Sequence, residues 1–227
     1  LDGTLTLPHL IDFKEMRNKL GMTELDKDII TFCRDENKHT KEERERLMNI
    51  VETMEKNACG DTTSLQPGVV QMLKALKTNG FQIGICTRNC YAAVESFLSN
   101  TGIPTEFFDL ILTRDAPFVK PNGNIIRHFS DAWGDRLIAP SELIIIGDSA
   151  DDALTGKWGG SYVGIVTNDT NSEAQKYADV LFHTMGDIVN FLSCHDEVKQ
   201  ADSGDDMLLL GKNNNNQPEE GTNILVR

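Results

Sequence analysis

Hydrophobic residues recur at two different spacings along the chain, and the change of spacing divides it into two parts. Between residues 11 and 58 they return every three or four positions, as on one face of a helix, in three groups: Phe13, Met16 and Leu20; Leu25, Ile29, Ile30 and Cys33; Leu47, Ile50, Val51 and Met54. Thr40 before Glu43, and Thr23 before Asp26, have the spacing of helix N-caps. The pattern predicts a small helical unit over residues 9–63.

From residues 60–67 onward, amphipathic segments alternate with short apolar runs. The predicted helices are 67–79, 90–101, 124–134, 150–158 and 186–193. The predicted strands are 81–87, 108–113, 142–147, 161–166 and 179–183. The near-continuous apolar runs are typical of strands covered on both faces, and the alternating order favours parallel pairing. The sequence therefore predicts an α/β fold, a Rossmann-like parallel sheet with helices on both faces, plus a small α-helical unit.

The last segment, residues 194–227, has a different composition. It is rich in acidic residues, contains a run of asparagines at 213–216, and shows little hydrophobic periodicity. Such a sequence cannot bury enough apolar surface to offset the entropy of ordering. We therefore expect a disordered acidic and Asn-rich tail.

Charge and cysteine content narrow the classes of partner. The net charge is −13, from 22 Lys and Arg against 35 Asp and Glu. This balance argues against a surface for nucleic acid or anionic membrane, which needs clustered cations, and no apolar run approaches the roughly 20 residues of a membrane helix. The five cysteines include no CxxC pair, which indicates free thiols in a reducing compartment. We expect a cytoplasmic protein that binds neither nucleic acid nor membrane.

Polar segments occur where predicted strands end, the edge at which open parallel sheets bind ligands. The first is DGT at residues 2–4 and the second is TRN at residues 87–89. A hydroxyl, a cation and an amide at a helix entrance suit a phosphate group. Taken alone, however, each segment is equally compatible with a turn or a helix cap.

Two further segments complete the set. Lys120 stands before a proline that keeps its backbone extended or in a turn. Asp148, Asp151 and Asp152 follow a run of isoleucines, and burying such a carboxylate cluster without a cation is costly. An oxygen-liganded metal resolves the repulsion, and Mg²⁺ typically takes one or two protein carboxylates together with waters and phosphate.

The order of these segments resembles the haloacid dehalogenase-like hydrolase superfamily over residues 1–193. DGTLT, ICTRN, VKPNG and GDSADDALTGKWGG look like its subgroup with a helical cap after the first motif, which includes phosphoglycolate phosphatases and β-phosphoglucomutases. The last segment is the most specific, and VKP is weak alone. The resemblance implies a core formed by residues 1–8 and 64–193 and a cap formed by residues 9–63.

The resemblance also implies a residue beyond the printed sequence. The first motif of the family is Asp-x-Asp-Gly-Thr, whose first aspartate is the nucleophile, and Leu1 occupies the x position. The nucleophile is therefore expected immediately before Leu1, on a strand that also precedes it. We expect an N-terminally truncated chain that is inactive as printed, and poorly folded without its central strand.

The remaining catalytic roles are implied residue by residue. Asp2 matches the general acid and base of the family. Thr87 and Lys120 match the residues that hold the transferring phosphoryl oxygens. Arg88 and Asn89 are candidates for substrate contacts, together with Thr87 and Lys120. The implied substrate is a small phosphorylated metabolite.

The implied cofactor is Mg²⁺, held by Asp148, Asp152 and the main-chain carbonyl of Asp2. Asp152 is preferred over Asp151 because it has the GDxxxD spacing. A dehalogenase can dispense with a general acid because halide is a good leaving group, so Asp2 favours phosphate esters. The resemblance thus implies a Mg²⁺-dependent phosphatase that acts on a small phosphate monoester through an aspartyl-phosphate intermediate.

Other functions share parts of this pattern. A phosphomutase would carry every motif and differ in its cap, and a catalytically inactive binding protein could retain the fold. A signalling receiver domain also combines acidic residues, a Thr and a Lys, but its acidic pair precedes the lysine. A dinucleotide-binding domain is excluded because no GxGxxG follows a predicted strand.

Overall fold

The sheet of the protein is fully parallel in the computed structural model, which describes residues 2–26, 28–60, 62–133, 138–202 and 223–226. Within these residues the sheet has six strands in the order β2–β1–β6–β3–β4–β5, all paired in parallel. The strands are β1 Ile83–Cys86, β2 Leu110–Leu112, β3 Leu143–Gly147, β4 Tyr162–Val166, β5 Val180–Phe182 and β6 Asn223–Val226. The predicted fold class is confirmed.

Helices precede and follow these strands close to the predicted positions. They are α1 Phe13–Leu20, α2 Ile29–Arg34, α3 Lys41–Asn57, α4 Val69–Thr78, α5 Tyr91–Thr101, α6 Asn124–Ala132, α7 Ala150–Gly159, α8 Ser172–Gln175 and α9 Met185–Asp202. The short helix α8 was not predicted. Position 134, the predicted end of α6, lies outside the described residues.

Both faces of the sheet are covered, as β3 shows by alternation. Ile144 and Ile146 join a buried cluster with residues of α4, α5 and α9. Leu143 and Ile145 point the other way and join a second cluster with residues of α6 and α7. Successive side chains of a strand face opposite sides, so a strand of this kind must be apolar throughout. This explains the unbroken run of isoleucines before the acidic segment.

The helical unit, residues 9–63, has a hydrophobic cluster of its own. Six buried residues from this segment form it: Ile11, Met16, Leu20, Cys33, Leu47 and Val51. Two predicted members of the apolar stripes do not take part, since Phe13 is 55% exposed and Leu25 is 90% exposed. Thr40 caps α3 as predicted, whereas Thr23 and Asp26 bond to each other in a turn before α2.

The two connections between the helical unit and the sheet domain run side by side. The amide of Leu7 donates to the carbonyl of Ser64 at 2.7 Å, and the amide of Gln66 donates to the carbonyl of Leu5 at 2.9 Å. Thr6 and Leu65 form an antiparallel bridge between them. The unit is therefore an insertion whose entry and exit lie together.

The predicted disordered tail is wrong at both of its described ends. Helix α9 continues to Asp202, and residues 223–226 form β6 between β1 and β3. The sequence NILV is apolar enough for a buried strand, and the facing edges of β1 and β3 offer it backbone hydrogen-bond partners on both sides. The central position of the sheet, expected to be missing, is thus filled. Residues 203–222 lie outside the described part of the chain.

Candidate active site

The DGT segment packs directly against the acidic segment that follows β3. Gly3 has a positive φ of 73°, and a Cβ atom there would lie 2.1 Å from Oδ2 of Asp148. Only glycine fits, because the backbone is left-handed and because the Asp148 carboxylate occupies the space of a side chain. The hydroxyl of Thr4 donates to Oδ1 of Asp148 at 2.8 Å. The first and last segments of the sequence pattern therefore form one structure.

The TRN segment contacts Asp2. The side-chain amide of Asn89 donates to Oδ2 of Asp2 at 2.8 Å. The backbone amide of Asn89 donates to the hydroxyl of Thr87 at 3.2 Å, and both of these residues are buried. Asn89 therefore orients the Asp2 carboxylate, and the hydroxyl of Thr87 stabilises the loop after β1.

Lys120 and Asp152 form an ion pair beneath this edge. Their side chains are fully buried, and Nζ of Lys120 lies 2.7 Å from Oδ1 of Asp152. Oδ2 of Asp152 accepts hydrogen bonds from the amides of Asp148 and Ser149 and from the hydroxyl of Ser149, at 3.2, 3.0 and 2.7 Å. Ser149 and Asp152 form a capping box at the start of α7.

These contacts change the role expected of Asp152. Both of its oxygens already accept hydrogen bonds within the protein, so it shapes the loop that carries Asp148 instead of offering an open ligand atom. Such full satisfaction is what allows a carboxylate to be buried. Asp2 and Asp148, in contrast, are half-buried at the edge. Of the two carboxylates predicted as metal ligands, Asp148 and Asp152, only that of Asp148 lies at this partly exposed edge.

Arg88 connects the edge to the helical unit. One guanidinium nitrogen lies 2.9 Å from Oδ2 of Asp151, and another pairs with Asp28, the N-cap of α2. Burial alone would raise the pKa of Asp28, but the hydrogen bonds from Thr31 and Arg88 together hold that pKa below its usual value. A cavity of about 560 Å³ opens between α2 and the sheet domain at this point, lined by Asp28, Ile30, Thr31, Arg34, Asp35, Arg88, Arg114 and Val119.

Sequence reasoning missed several residues that hold the edge in place. The side-chain amide of Asn171 donates to the main-chain carbonyl of Asp148 at 2.9 Å, and that of Gln66 donates to the carbonyl of Gly3 at 3.3 Å. Neither stands in a motif, and no spacing relates them to the acidic segment. Thr4 belongs to DGT, so its hydroxyl was the one available signal.

The donor set at the edge fits a hard cation of low protein coordination. The loop that carries the Asp148 carboxylate contacts the loop that carries the main-chain carbonyl of Asp2, and oxygen ligands are those that Mg²⁺ prefers. In the described part of the chain, no group of three or more His, Cys, Asp and Glu side chains is arranged to hold an ion. A cation here would depend on main-chain oxygen, water and ligand oxygens as well.

The fold and this edge define a hydrolase class, and comparison with known proteins agrees. The family model described as haloacid dehalogenase-like hydrolase matches residues 9–166. An uncharacterized hydrolase of Saccharomyces cerevisiae is 32% identical over 198 residues, which cover 85% of this chain and 88% of the yeast protein. The chain belongs to the haloacid dehalogenase-like hydrolase family, and the family prediction is confirmed.

The chain is also similar, over a shorter length or at lower identity, to other proteins. A phosphoglycolate phosphatase of Cereibacter sphaeroides is 33% identical over 106 residues, 46% of each chain. The solved β-phosphoglucomutase of Clostridium difficile is 17% identical, with a TM-score of 0.63 over 88% of this chain and 95% of the other. A hydrolase from Pseudomonas syringae is 19% identical, with a TM-score of 0.62 over 85% and 95%. At these identities the two solved structures establish the fold alone.

No helix in the described ranges combines the length and the hydropathy needed to cross a bilayer.

Proposed function

We propose that this protein is a Mg²⁺-dependent phosphatase that hydrolyses a small phosphate monoester through an aspartyl-phosphate intermediate. The observation that carries the proposal is the joining of all four sequence segments at one sheet edge. Asp2 contacts Asn89 of the TRN segment, Thr4 contacts Asp148, and Lys120 contacts Asp152 of the same acidic loop. The family relationship supports the hydrolytic class, and the phosphoglycolate phosphatase relative supports phosphate as the group removed.

Asp2 is the general acid and base in this proposal. The nucleophile is the aspartate that the resemblance implies before Leu1: it would attack phosphorus while Asp2 gives a proton to the departing alkoxide oxygen. Asp2 then takes a proton from the water that hydrolyses the acyl phosphate. Asn89 holds one oxygen of Asp2 at 2.8 Å, so the carboxyl group keeps one orientation through both steps.

Lys120 and Thr87 hold the phosphoryl oxygens. Asp152 holds the Lys120 ammonium at 2.7 Å. The lysine side chain therefore already has a fixed conformation when the phosphoryl group binds. The carboxylate of Asp148 and the main-chain carbonyl of Asp2 would hold Mg²⁺, which neutralises charge on the phosphoryl oxygens when bound. Asp152 then acts as a positioning residue, with its charge offset by Lys120 and by the N-terminus of α7.

The helical unit, residues 9–63, acts as the cap. Helix α2 of the unit lines one side of the 560 Å³ cavity. Arg88, from the loop after β1, pairs with Asp28 at the start of that helix. A cavity of this size suits a small metabolite. The cap excludes water during transfer and selects the leaving group.

The test uses the protein with its natural upstream residues and p-nitrophenyl phosphate as substrate. We expect phosphate release that requires Mg²⁺ and stops in EDTA, and Asp2→Asn is expected to lower kcat by about 10²–10⁴-fold. Asp131→Asn, an exposed change of the same kind on α6, should leave kcat unchanged. Full activity in EDTA, or in Asp2→Asn, would contradict the proposal. Transfer of phosphate to a sugar phosphate instead of water would identify a mutase.

A further inference from the structure

A second buried ion pair lies between the helical unit and the sheet domain, and the mechanism above does not use it. Glu55, near the end of α3, pairs with Arg114 in the loop after β2. Glu55 is 5% exposed and Arg114 is 4% exposed. Burial raises the pKa of Glu55 against the opposing charge of Arg114. This pair could not be predicted from the sequence, because Glu55 and Arg114 are 59 positions apart.

The pair holds the loop that carries Asn89. The other oxygen of Glu55 accepts a hydrogen bond from the amide of Cys90 at 3.1 Å. The amide of Arg114 donates to the carbonyl of Asn89 at 3.2 Å. The Glu55 carboxylate and the main-chain amide of Arg114 thus bond to the amide and the carbonyl of the Asn89–Cys90 peptide unit. The side chain of Asn89 in turn donates to Asp2 at 2.8 Å.

A contribution to stability does not by itself explain why a buried ion pair stands at this position. Desolvating two charges costs several kcal/mol per ion, and well-packed apolar residues of similar volume are commonly as stabilising. A pair with purely structural value is therefore replaceable by apolar side chains. An arrangement that sets the orientation of a polar loop is not replaceable in this way, because apolar side chains cannot accept from Cys90.

Other ion pairs also join the helical unit to the sheet domain, but they differ in reach. Arg34 lies 3.1 Å from Asp115, with both side chains at least half exposed. Arg88 pairs with Asp28 at partial exposure. Arg88 belongs to the same loop as Asn89, but neither ion pair bonds to the carbonyl or the amide of the Asn89–Cys90 peptide unit. Among the contacts described, the one from Glu55 links the position of α3 to the loop that orients Asp2.

We propose that Glu55 is a positioning residue: with Arg114 it fixes the Asn89 loop, and so aligns Asp2 only while the helical unit is docked. The role of Asp2 in this statement rests on the function proposed above. The consequence is a coupling between cap closure and the general acid. When α3 moves away, the Cys90 amide and the Arg114 guanidinium lose Glu55, the Asn89–Cys90 peptide unit keeps only its bond to the Arg114 amide, and the orientation of Asp2 is held less firmly.

The main test replaces both members by apolar residues, Glu55→Leu with Arg114→Met, in the protein with its natural upstream residues. We expect a folded variant whose unfolding midpoint in urea is lowered by the unpaired Cys90 amide but not by the loss of the ion pair itself. The value of kcat for p-nitrophenyl phosphate should fall by about 10–100-fold with KM nearly unchanged, because only the alignment for the transition state is lost. Wild-type kcat in the stably folded double variant would overturn the proposal.

A second pair of variants covers the case in which the double variant does not fold. Glu55→Gln keeps an oxygen for the Cys90 amide and removes the charge, so its kcat should lie between wild type and double variant. Glu52→Gln, one turn earlier on α3 and exposed, is the matched control and should leave kcat unchanged. Equal kcat in Glu55→Gln and Glu52→Gln would overturn the proposal.

Amide hydrogen exchange separates this proposal from the proposed function. Exchange at Cys90 and Asn89 should be faster in the Glu55→Leu, Arg114→Met double variant, which removes the acceptor of the Cys90 amide, than in wild type, and unchanged in Glu52→Gln, whether or not the protein hydrolyses phosphate. Faster exchange in a protein without phosphatase activity would support the positioning role of Glu55 and contradict the proposed phosphatase function. Unchanged exchange at these two amides would contradict the positioning role of Glu55 and would not affect the proposed phosphatase function.

Discussion

The sheet edge and the junction with the helical unit use the same residue types in opposite ways. At the edge, Lys120 and Asp152 are fully buried, and each Asp152 oxygen accepts further hydrogen bonds or the lysine itself. At the junction, the Glu55–Arg114 pair is also buried, but Arg88 and Asp28 are about one third exposed, at 32% and 35%. Buried, fully bonded charges hold one geometry, whereas exposed pairs are screened and exchange easily with water. We therefore expect the edge to be the rigid half and the rim around Arg88 and Asp28 to open more readily.

The largest effect should come from breaking the buried pair. Lys120→Met leaves the Asp152 carboxylate buried without its counter-charge, which costs about 3–5 kcal/mol of the free energy of unfolding. Urea denaturation measures it. Lys157→Met removes an exposed partner of Asp179 and should cost less than about 1 kcal/mol. Similar losses in the two variants would show that the edge is not the rigid half.

A smaller effect is expected from Gly3→Ala. The left-handed backbone costs an L-residue about 1–2 kcal/mol, and the added Cβ atom must displace the Asp148 carboxylate that lies 2.1 Å from its position. We expect a measurable loss of stability and a loss of Mg²⁺ affinity in calorimetric titration. Gly80→Ala, also at positive φ but with nothing near its Cβ position, should lose stability alone. Equal Mg²⁺ affinity in both variants would argue against Asp148 as a ligand of the metal.

Arg88→Gln should have a smaller effect on stability than either change. The Arg88 pairs are about a third exposed, so solvent screening limits the loss to less than about 1 kcal/mol, and the loss should shrink further in high salt. Urea denaturation at two salt concentrations measures both. The Lys120→Met loss should not respond to salt in this way. A large, salt-independent loss in Arg88→Gln would place the junction in the rigid half.

The smallest effect is a difference in thiol labelling between the two halves. Cys33 in α2 and Cys86 in β1 are both buried, and burial raises the pKa of Cys33 to about 11. Its reaction with iodoacetamide near neutral pH therefore requires local opening. We expect Cys33 to react before Cys86, because the helical unit opens without unfolding of the sheet. Mass spectrometry of labelled peptides gives the order, and simultaneous labelling would mean that the two halves open as one.

Local patterns predicted the fold well where one residue type repeats at one spacing. Strand β3 begins within one residue of its predicted start, and the predicted stripe Leu47, Ile50, Val51 and Met54 lies on α3, because burial on a strand or a helix face follows a regular spacing along the sequence. Phe13 and Leu25 show the limit of the same reasoning. An apolar residue at the right spacing does not become buried unless a neighbouring element covers it, and that neighbour is set by tertiary packing.

The site was predictable to the extent that its residues follow strands. Asp2, Thr87 and Asp148 could be placed at one edge because parallel strands end at the same side of a sheet. The partners of these residues could not, since Asn171, Gln66, Glu55 and Arg114 arrive from distant elements. Asp152 illustrates a third case: the spacing identified the residue, but only its hydrogen bonds distinguish a ligand from a residue that supports one.

The central claim is that Asp148 and its neighbours at the sheet edge bind a divalent cation together with phosphate. Calorimetric titration of Mg²⁺ in the presence of inorganic phosphate tests it without requiring turnover. We expect saturable binding in wild type and in Asp131→Asn, and loss of that binding in Asp148→Asn, whose amide can still accept from Thr4. Unchanged Mg²⁺ binding in Asp148→Asn, with its unfolding midpoint preserved, would contradict the account.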